Sequence, residues 1–374
     1  MKRFANQQLR PGPHIAVCGS DKVGNFVVTT PLLRGLKAKY PDAVVDFYGS
    51  SVTQTFEEKC PFLDAHFSLY GEHSDFLADL YRFVTARKQA AGEYDLAINC
   101  NAFSELSRVL IPALNPGYVV GDALRPDLRG RLETRANDER DALCYDPDWN
   151  APSLVTRYNG LIQGNAITEI FCRLAYVDTD YYKTEIAMEP PPFVVPDVLL
   201  HMTASRSAKE WLPANWTAVI VWCEEQGLRV GIVGTEEAQV TGECDPQADY
   251  DCLYRHAGIL DLRGKTTLPQ LAGAFHRTRA AVVVDAGPMH IAAAVGCRTV
   301  CIFGNDVDGD GASPIRLWAP RGPHVRIVNT SIKCRLCAER RFRNAHCPLS
   351  GHPCMEAISP AQVITALKQA LANG

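Results

Sequence analysis

What this 374-residue chain lacks narrows its class before any motif is read. Its formal net charge is only -4, from 38 Lys and Arg against 42 Asp and Glu, so no excess of positive charge points to nucleic acid as a partner. No apolar run reaches the roughly 20 residues of a membrane span, which leaves at most a peripheral membrane contact. Met1 to Arg10 holds no hydrophobic core of the signal-peptide kind, and the expected compartment is the cytoplasm. A repeat of the solenoid type is also missing.

What is present describes a globular protein. The chain is 47% hydrophobic and 21% charged, and its length suggests two domains of roughly 150–200 residues each. Fourteen cysteines would frame a short secreted protein with disulfides, but this chain is large and well supplied with core residues. Cys18, Cys100, Cys223 and Cys301 sit inside apolar runs, where a reduced thiol packs as a small hydrophobe.

Period and punctuation then give the elements. His14–Cys18 reads as a buried strand. It leads into Asp21-Lys-Val-Gly24-Asn25, a helix from Phe26 to Tyr40 and a strand at Val44–Tyr48. A helix over Phe76–Ala91, a strand over Tyr94–Asn99 and a strand at Tyr118–Gly121 continue the alternation. From Asp122 to Asn150 charge is dense and periodicity weak, so a long exposed loop is expected. A helical stretch follows over Leu154–Leu174. Glu189-Pro-Pro-Pro-Phe-Val-Val-Pro196 is the clearest linker, because consecutive prolines favour extended geometry. It divides an expected N-terminal domain over residues 1–188 from a C-terminal one over residues 197–374.

The second half alternates in the same way. Val198–Met202 and Arg229–Gly234 are strands flanking a helix at Asn215–Gln226. Ile259–Gly264 precedes a helix whose Thr267 and Gln270 have capping-box spacing. Val282-Val-Val-Asp-Ala-Gly-Pro-Met-His290 is the most informative stretch: a strand ends in an acidic residue and Gly-Pro, a small-residue helix follows, and Cys297–Gly304 gives the next strand. The free N–H groups at the start of such a helix can hold a phosphate. Strands spaced by helices in both halves argue for α/β domains with parallel sheets covered on both faces.

Four cysteines are clustered. Cys334 and Cys337 form a Cys-x-x-Cys pair, with Cys347 and Cys354 close behind. Two thiolates from one turn and two from a nearby loop can complete a closed tetrahedral site for zinc or iron, and such a site is structural in kind because it leaves no open position. Four reduced thiols without an ion are the competing reading. Asp306-x-Asp308-x-Asp310-Gly311 lacks the twelfth-position Glu of a calcium loop, with Leu317 there instead. Arg335, Arg340, Arg341 and Arg343 form a basic cluster that could meet an acidic acceptor or simply face solvent.

Four segments in this order resemble the family 9 glycosyltransferases, the bacterial heptosyltransferases that use ADP-heptose. They are Asp21–Arg34, Leu262–Ala272, Asp285–His290, and the cysteine segment leading to Ile358-Ser-Pro360. The resemblance implies a GT-B fold: two doubly wound, Rossmann-like α/β domains facing across a cleft, with the acceptor held by the N-terminal domain and the nucleotide-sugar by the C-terminal one. It implies an inverting transfer from ADP-heptose without a catalytic metal. Asp285, Ala286, Gly287, Pro288, Met289 and His290 match the loop that holds sugar and diphosphate. Lys209, in the run from Ser205, matches the lysine on the diphosphate, and Glu236 or Glu237 matches the acidic position near the adenosine ribose. Similar cysteine segments hold iron in those family members that modify autotransporter proteins.

One departure stands out. Family members commonly carry a second Asp where this chain has Asn25, and that Asp is the expected general base. A neutral amide cannot take the acceptor's proton. Asp21 or another carboxylate has then assumed the role, Asn25 orients an acceptor activated otherwise, or transfer is lost. The alternative to an active enzyme is accordingly a catalytically silent nucleotide-sugar-binding protein, or a metal-dependent regulatory one, on the same scaffold. The acceptor itself, whether lipopolysaccharide core, protein or small molecule, is not specified by these residues.

Overall fold

In the computed structural model the described residues are 1–101, 104–235, 253, 258–305, 307–308, 312, 314–340 and 344–372. They form two compact units, one of residues 1–149 and 153–185, the other of residues 150–152 and 186–374.

The first unit is a six-stranded parallel sheet of β1 (Lys2–Arg3), β2 (His14–Cys18), β3 (Val44–Ser50), β4 (Ala65–Tyr70), β5 (Leu96–Asn99) and β6 (Tyr118–Val120), in the order β1-β6-β5-β2-β3-β4. Every residue of β2 and β5 is buried, as expected for central parallel strands covered on both faces. The Val23–Lys39 helix follows β2. Gly19 is required where this connection begins, since a Cβ there would stand 2.3 Å from Cζ of Phe47.

The second unit repeats the scheme with β7 (Val198–His201), β8 (Val230–Ile232), β9 (Ile259–Asp261), β10 (Ala280–Val284), β11 (Thr299–Phe303) and β12 (Val325–Asn329), all parallel in the order β12-β11-β10-β7-β8-β9. Counted within the unit this is the doubly wound order 3-2-1-4-5-6. Its core packs Val198, Leu200, Val282 and Val284 against Trp211, Trp216, Ile220 and Leu367. Trp211 and Trp216 meet edge to face with ring centroids 5.2 Å apart. The capping box expected at Thr267 and Gln270 is formed.

Two expectations about local structure are corrected. Residues 122–149 are not a plain exposed loop: Asp122, Ala123 and Leu143 are buried and Glu139–Cys144 is helical. Charge density there reflects pairing, with Arg108 2.7 Å from Asp122 and Arg135 2.8 Å from Asp141. The Leu154–Leu174 helix is broken into Leu154–Arg157 and Ile167–Leu174. The buried carboxylate of Glu169 accepts from the backbone N–H of Gln163 at 2.7 Å and of Gly164 at 2.8 Å, which stabilises the interruption. Among the described residues no helix is long and apolar enough to cross a membrane.

Candidate functional site

In a doubly wound sheet, ligands bind beyond the carboxyl ends of the strands where the winding reverses. In the second unit that point lies between β7 and β10, which pair with His201 opposite Val283. The chain leaving β7 carries Ser205 and Lys209, and the chain leaving β10 carries Asp285 to His290. Sheet register therefore brings together two stretches far apart in sequence. Lys209 Nζ stands 2.7 Å from Asp285 Oδ2 and donates to the Asp285 carbonyl at 3.3 Å. The carboxylate is nearly enclosed and the ammonium partly so.

The Lys209 loop is held from several sides. Glu210 Oε1 accepts from the Ala204 N–H at 2.8 Å, and the buried Trp211 donates through Nε1 to the Ile358 carbonyl at 2.9 Å. Ala208 N–H donates to the Ala345 carbonyl at 3.2 Å, and Ser207 Oγ lies 2.7 Å from His346 Nδ1. The cysteine segment thus braces the turn that carries Lys209.

The Gly287–Ala294 helix begins with Ala286 in extended geometry and no side-chain cap. Its first turn has few backbone donors to offer, since Pro288 has no N–H and the Met289 N–H donates to the Ala286 carbonyl at 3.1 Å, so what it presents to an anion is chiefly the positive end of the helix dipole. Met289 and His290 turn inward and are buried. Burial pushes His290 down to about 4, helped by Lys209 and opposed by Asp285. His201, at the end of β7, is likewise pushed to about 4 by burial. Ser205 is exposed. Glu236 and Glu237 lie outside the described residues, as do Asp306, Asp310, Gly311, Arg341 and Arg343.

Arg206 was not singled out by its sequence context. Its Nη2 donates to the Ala312 carbonyl at 2.7 Å, whereas Nη1 is buried with no hydrogen-bond partner among the described residues. Its only sequence signal is position, three residues before Lys209 in the same loop.

The first unit has the matching reversal between β2 and β5, where Cys18 pairs with Asn99. Asp21 and Asn25 lie just beyond. The Asn25 amide donates to Ser20 Oγ at 2.7 Å, and Ser20 Oγ donates to Asp21 Oδ1 at 3.0 Å. Lys22 Nζ is 3.2 Å from Asp21 Oδ2, and the Asp21 side chain is 45% exposed. No side chain caps the Val23–Lys39 helix, so the Asp21 carboxylate is not used as a cap. From the chain beyond β5, Asn101 Nδ2 donates to Tyr70 Oη at 3.0 Å, and Tyr70 Oη is 2.6 Å from Ser104 Oγ. Ser20, Tyr70, Asn101 and Ser104 escaped the sequence reading because isolated polar residues carry no period.

Cys334, Cys337, Cys347 and Cys354 are all free thiols. Burial pushes Cys354 up to about 12, and the charges of Cys347, Cys337 and Cys334 push the same way. Cys347 is raised by burial and by Cys337 and Cys334. Asn344 Nδ2 donates to Cys337 Sγ at 3.3 Å. Cys347 and Cys354 thus feel the charges of Cys334 and Cys337, and thiolates as a donor type suit zinc or iron, but the four sulfurs as placed do not form a binding site. Among the described residues no group of three or more His, Cys, Asp or Glu side chains is arranged to hold a metal.

Residues 174–346 match the sequence model of Glycosyltransferase family 9 (heptosyltransferase). That part of the chain is a family 9 glycosyltransferase domain. Lipopolysaccharide heptosyltransferase 3 of Escherichia coli is 22% identical over 298 residues, covering 75% of this chain and 80% of that protein. The glycosyl transferase family 9 structure from Veillonella parvula DSM 2008 superposes with a TM-score of 0.70 at 18% identity, over 99% of this chain and 100% of that one. The dodecameric iron-containing heptosyltransferase TibC of enterotoxigenic E. coli, in complex with ADP-D-beta-D-heptose, gives 0.59 at 13% identity, over 98% of this chain and 78% of that one. The expected α/β fold of GT-B type, with two doubly wound domains, is the fold found, and the chain stands among the glycosyltransferases. Lys209 and Asp285 both lie within the family 9 match.

Proposed function

We propose that this glycosyltransferase moves heptose, or a closely related sugar, from ADP-heptose to an acceptor hydroxyl with inversion at the anomeric carbon. The acceptor oxygen attacks that carbon as its bond to the diphosphate breaks. The acceptor's proton passes to a carboxylate and ADP leaves with the bonding electrons. Lys209 offsets the charge gathering on ADP, which is electrostatic stabilisation of the kind that needs no catalytic metal. The positive end of the Gly287–Ala294 helix shares that charge, and Asp285 accepts hydrogen bonds from the sugar. Glu236 or Glu237 takes the adenosine ribose.

Asp21 is the proposed base, being solvent-accessible and not committed to a helix cap. Asn25 orients it through Ser20. The observation that carries the reading is the Lys209–Asp285 pair at 2.7 Å, set at the winding reversal of the second sheet. Relatives and fold neighbours named for lipopolysaccharide and for ADP-heptose support lipopolysaccharide as the acceptor class and ADP-heptose as the donor. Cys334, Cys337, Cys347 and Cys354 would hold a structural zinc or iron ion that stiffens the segment bracing Lys209.

Calorimetry with ADP, UDP, GDP and dTDP, beside turnover of ADP-heptose, tests the reading. Selective ADP binding that weakens in Lys209→Ala supports it. Preference for another nucleotide removes heptose, and lack of binding removes the donor assignment. A second reading, a silent nucleotide-sugar-binding protein, is favoured by Asn25 in the place of a carboxylate, and ADP binding with no turnover on any acceptor would establish it.

A further inference from the structure

We propose that Arg206 is a second cationic residue of the diphosphate site, holding the phosphate group that Lys209 does not. This rests on the donor-site reading above. Arg206 lies in the loop leaving β7, three residues before Lys209, at the same reversal of the sheet. Its guanidinium is fixed rather than free, because Nη2 donates to the Ala312 carbonyl at 2.7 Å. Nη1 is buried and bonded to nothing among the described residues.

A buried guanidinium N–H without an acceptor is unfavourable. Its persistence is explained if the acceptor arrives with the ligand. The local charge agrees. Burial pulls Arg206 below the usual arginine range, while Asp285 and Cys337 oppose that pull and favour its charged form. The Asp285 carboxylate is already engaged by Lys209 at 2.7 Å. Lys209 and Arg206 are thus both within the field of one carboxylate, beside the positive end of the Gly287–Ala294 helix.

A sugar nucleoside diphosphate carries one negative charge on each of its two phosphates. Lys209, a compact point charge, answers one of them. Arginine's planar fork suits the other, since it can donate parallel hydrogen bonds to phosphate oxygens. Cys337 is the competing neighbour. Were Arg206 only a countercharge for the cysteine segment, its loss would change thermal stability and leave anion affinity untouched.

The test uses the full chain, with Arg206→Gln, which keeps a donor for Ala312 but removes the charge, and Arg206→Lys, which keeps the charge but loses the fork. Binding of inorganic pyrophosphate, ADP and adenosine is measured by calorimetry beside a thermal melt. Arg206→Gln should weaken pyrophosphate and ADP about tenfold or more, the scale of a charge-assisted hydrogen bond, and leave adenosine unchanged, while Arg206→Lys should recover part of the loss. Unchanged pyrophosphate affinity in Arg206→Gln, an equal loss for adenosine, or no pyrophosphate binding by the wild type would each overturn the assignment. Wild-type protein that binds pyrophosphate through Arg206 but shows no preference for ADP would fail the ADP-donor reading and uphold the Arg206 one.

Discussion

Ser207 Oγ lies 2.7 Å from His346 Nδ1, joining the turn that carries Lys209 to a segment 139 residues further along the chain. This bond positions Lys209 without touching substrate. Ser207→Ala and His346→Ala should each weaken ADP binding several-fold, in line with roughly 1 kcal/mol for one hydrogen bond. The double variant should lose little more than either single one, because the two changes remove the same bond. Calorimetry on the four proteins reads the coupling directly.

Removing the Lys209 ammonium should reduce kcat for ADP-heptose by about a hundredfold or more, the scale found when a donor to a developing charge is deleted. Asp285→Asn should act differently. It frees Lys209 from its partner at 2.7 Å, so ADP should bind at least as tightly while sugar transfer falls. Steady-state kinetics with parallel ADP titrations separate the two effects.

His201 and His290 set a pH limit on the second unit. Both are pushed to about 4 by burial, below the ordinary value of about 6.5. Between those values the unfolded chain binds more protons than the folded one, so stability falls as pH drops from about 6.5 toward 4 and is unaffected by these groups above that window. The loss is on the order of a few kcal/mol for each histidine. Urea unfolding at pH 5 and pH 7.5 measures it, and His201→Asn should flatten the profile.

Asp46 anchors the opposite end of the first sheet. Its buried carboxylate meets His14 Nε2 at 2.8 Å, Arg87 at 2.8 Å and the Tyr94 hydroxyl at 2.8 Å. Burial pushes this carboxyl up, but the bonds from His14, Arg87 and Tyr94 outweigh it and hold it below the usual range. Asp46→Ala should cost roughly 3–5 kcal/mol, as when one partner of a buried charge group is removed. Denaturant titration of the variant checks it.

Central strands were legible because they are apolar on both faces: Ile15-Ala-Val-Cys18 and Ala280–Val284 leave no polar side to confuse the period. β4 and β12 were not foreseen. Both are edge strands, only partly buried along their length, and their mixed sequences blur into loop. The capping box at Thr267 was readable because it is a contact between close neighbours. The break in the Leu154–Leu174 stretch was not, since it depends on where the Glu169 carboxylate turns back. Lys209 and Asp285 were found through the resemblance, while Arg206 looked like any solvated arginine beside serines until Ala312 was seen to fix it.

The pairing of β7 with β10 has a consequence for protein engineering. Lys209 and Asp285 are 76 residues apart in sequence, yet their spacing is dictated by the hydrogen-bonded register of two adjoining strands rather than by the length of what connects them. The exposed turn at Gln226–Gly227, which leads into β8 at the end of the strands away from the site, can therefore be lengthened. Segments could be inserted there, or the chain reopened there with new termini, while the cation and the carboxylate keep their separation.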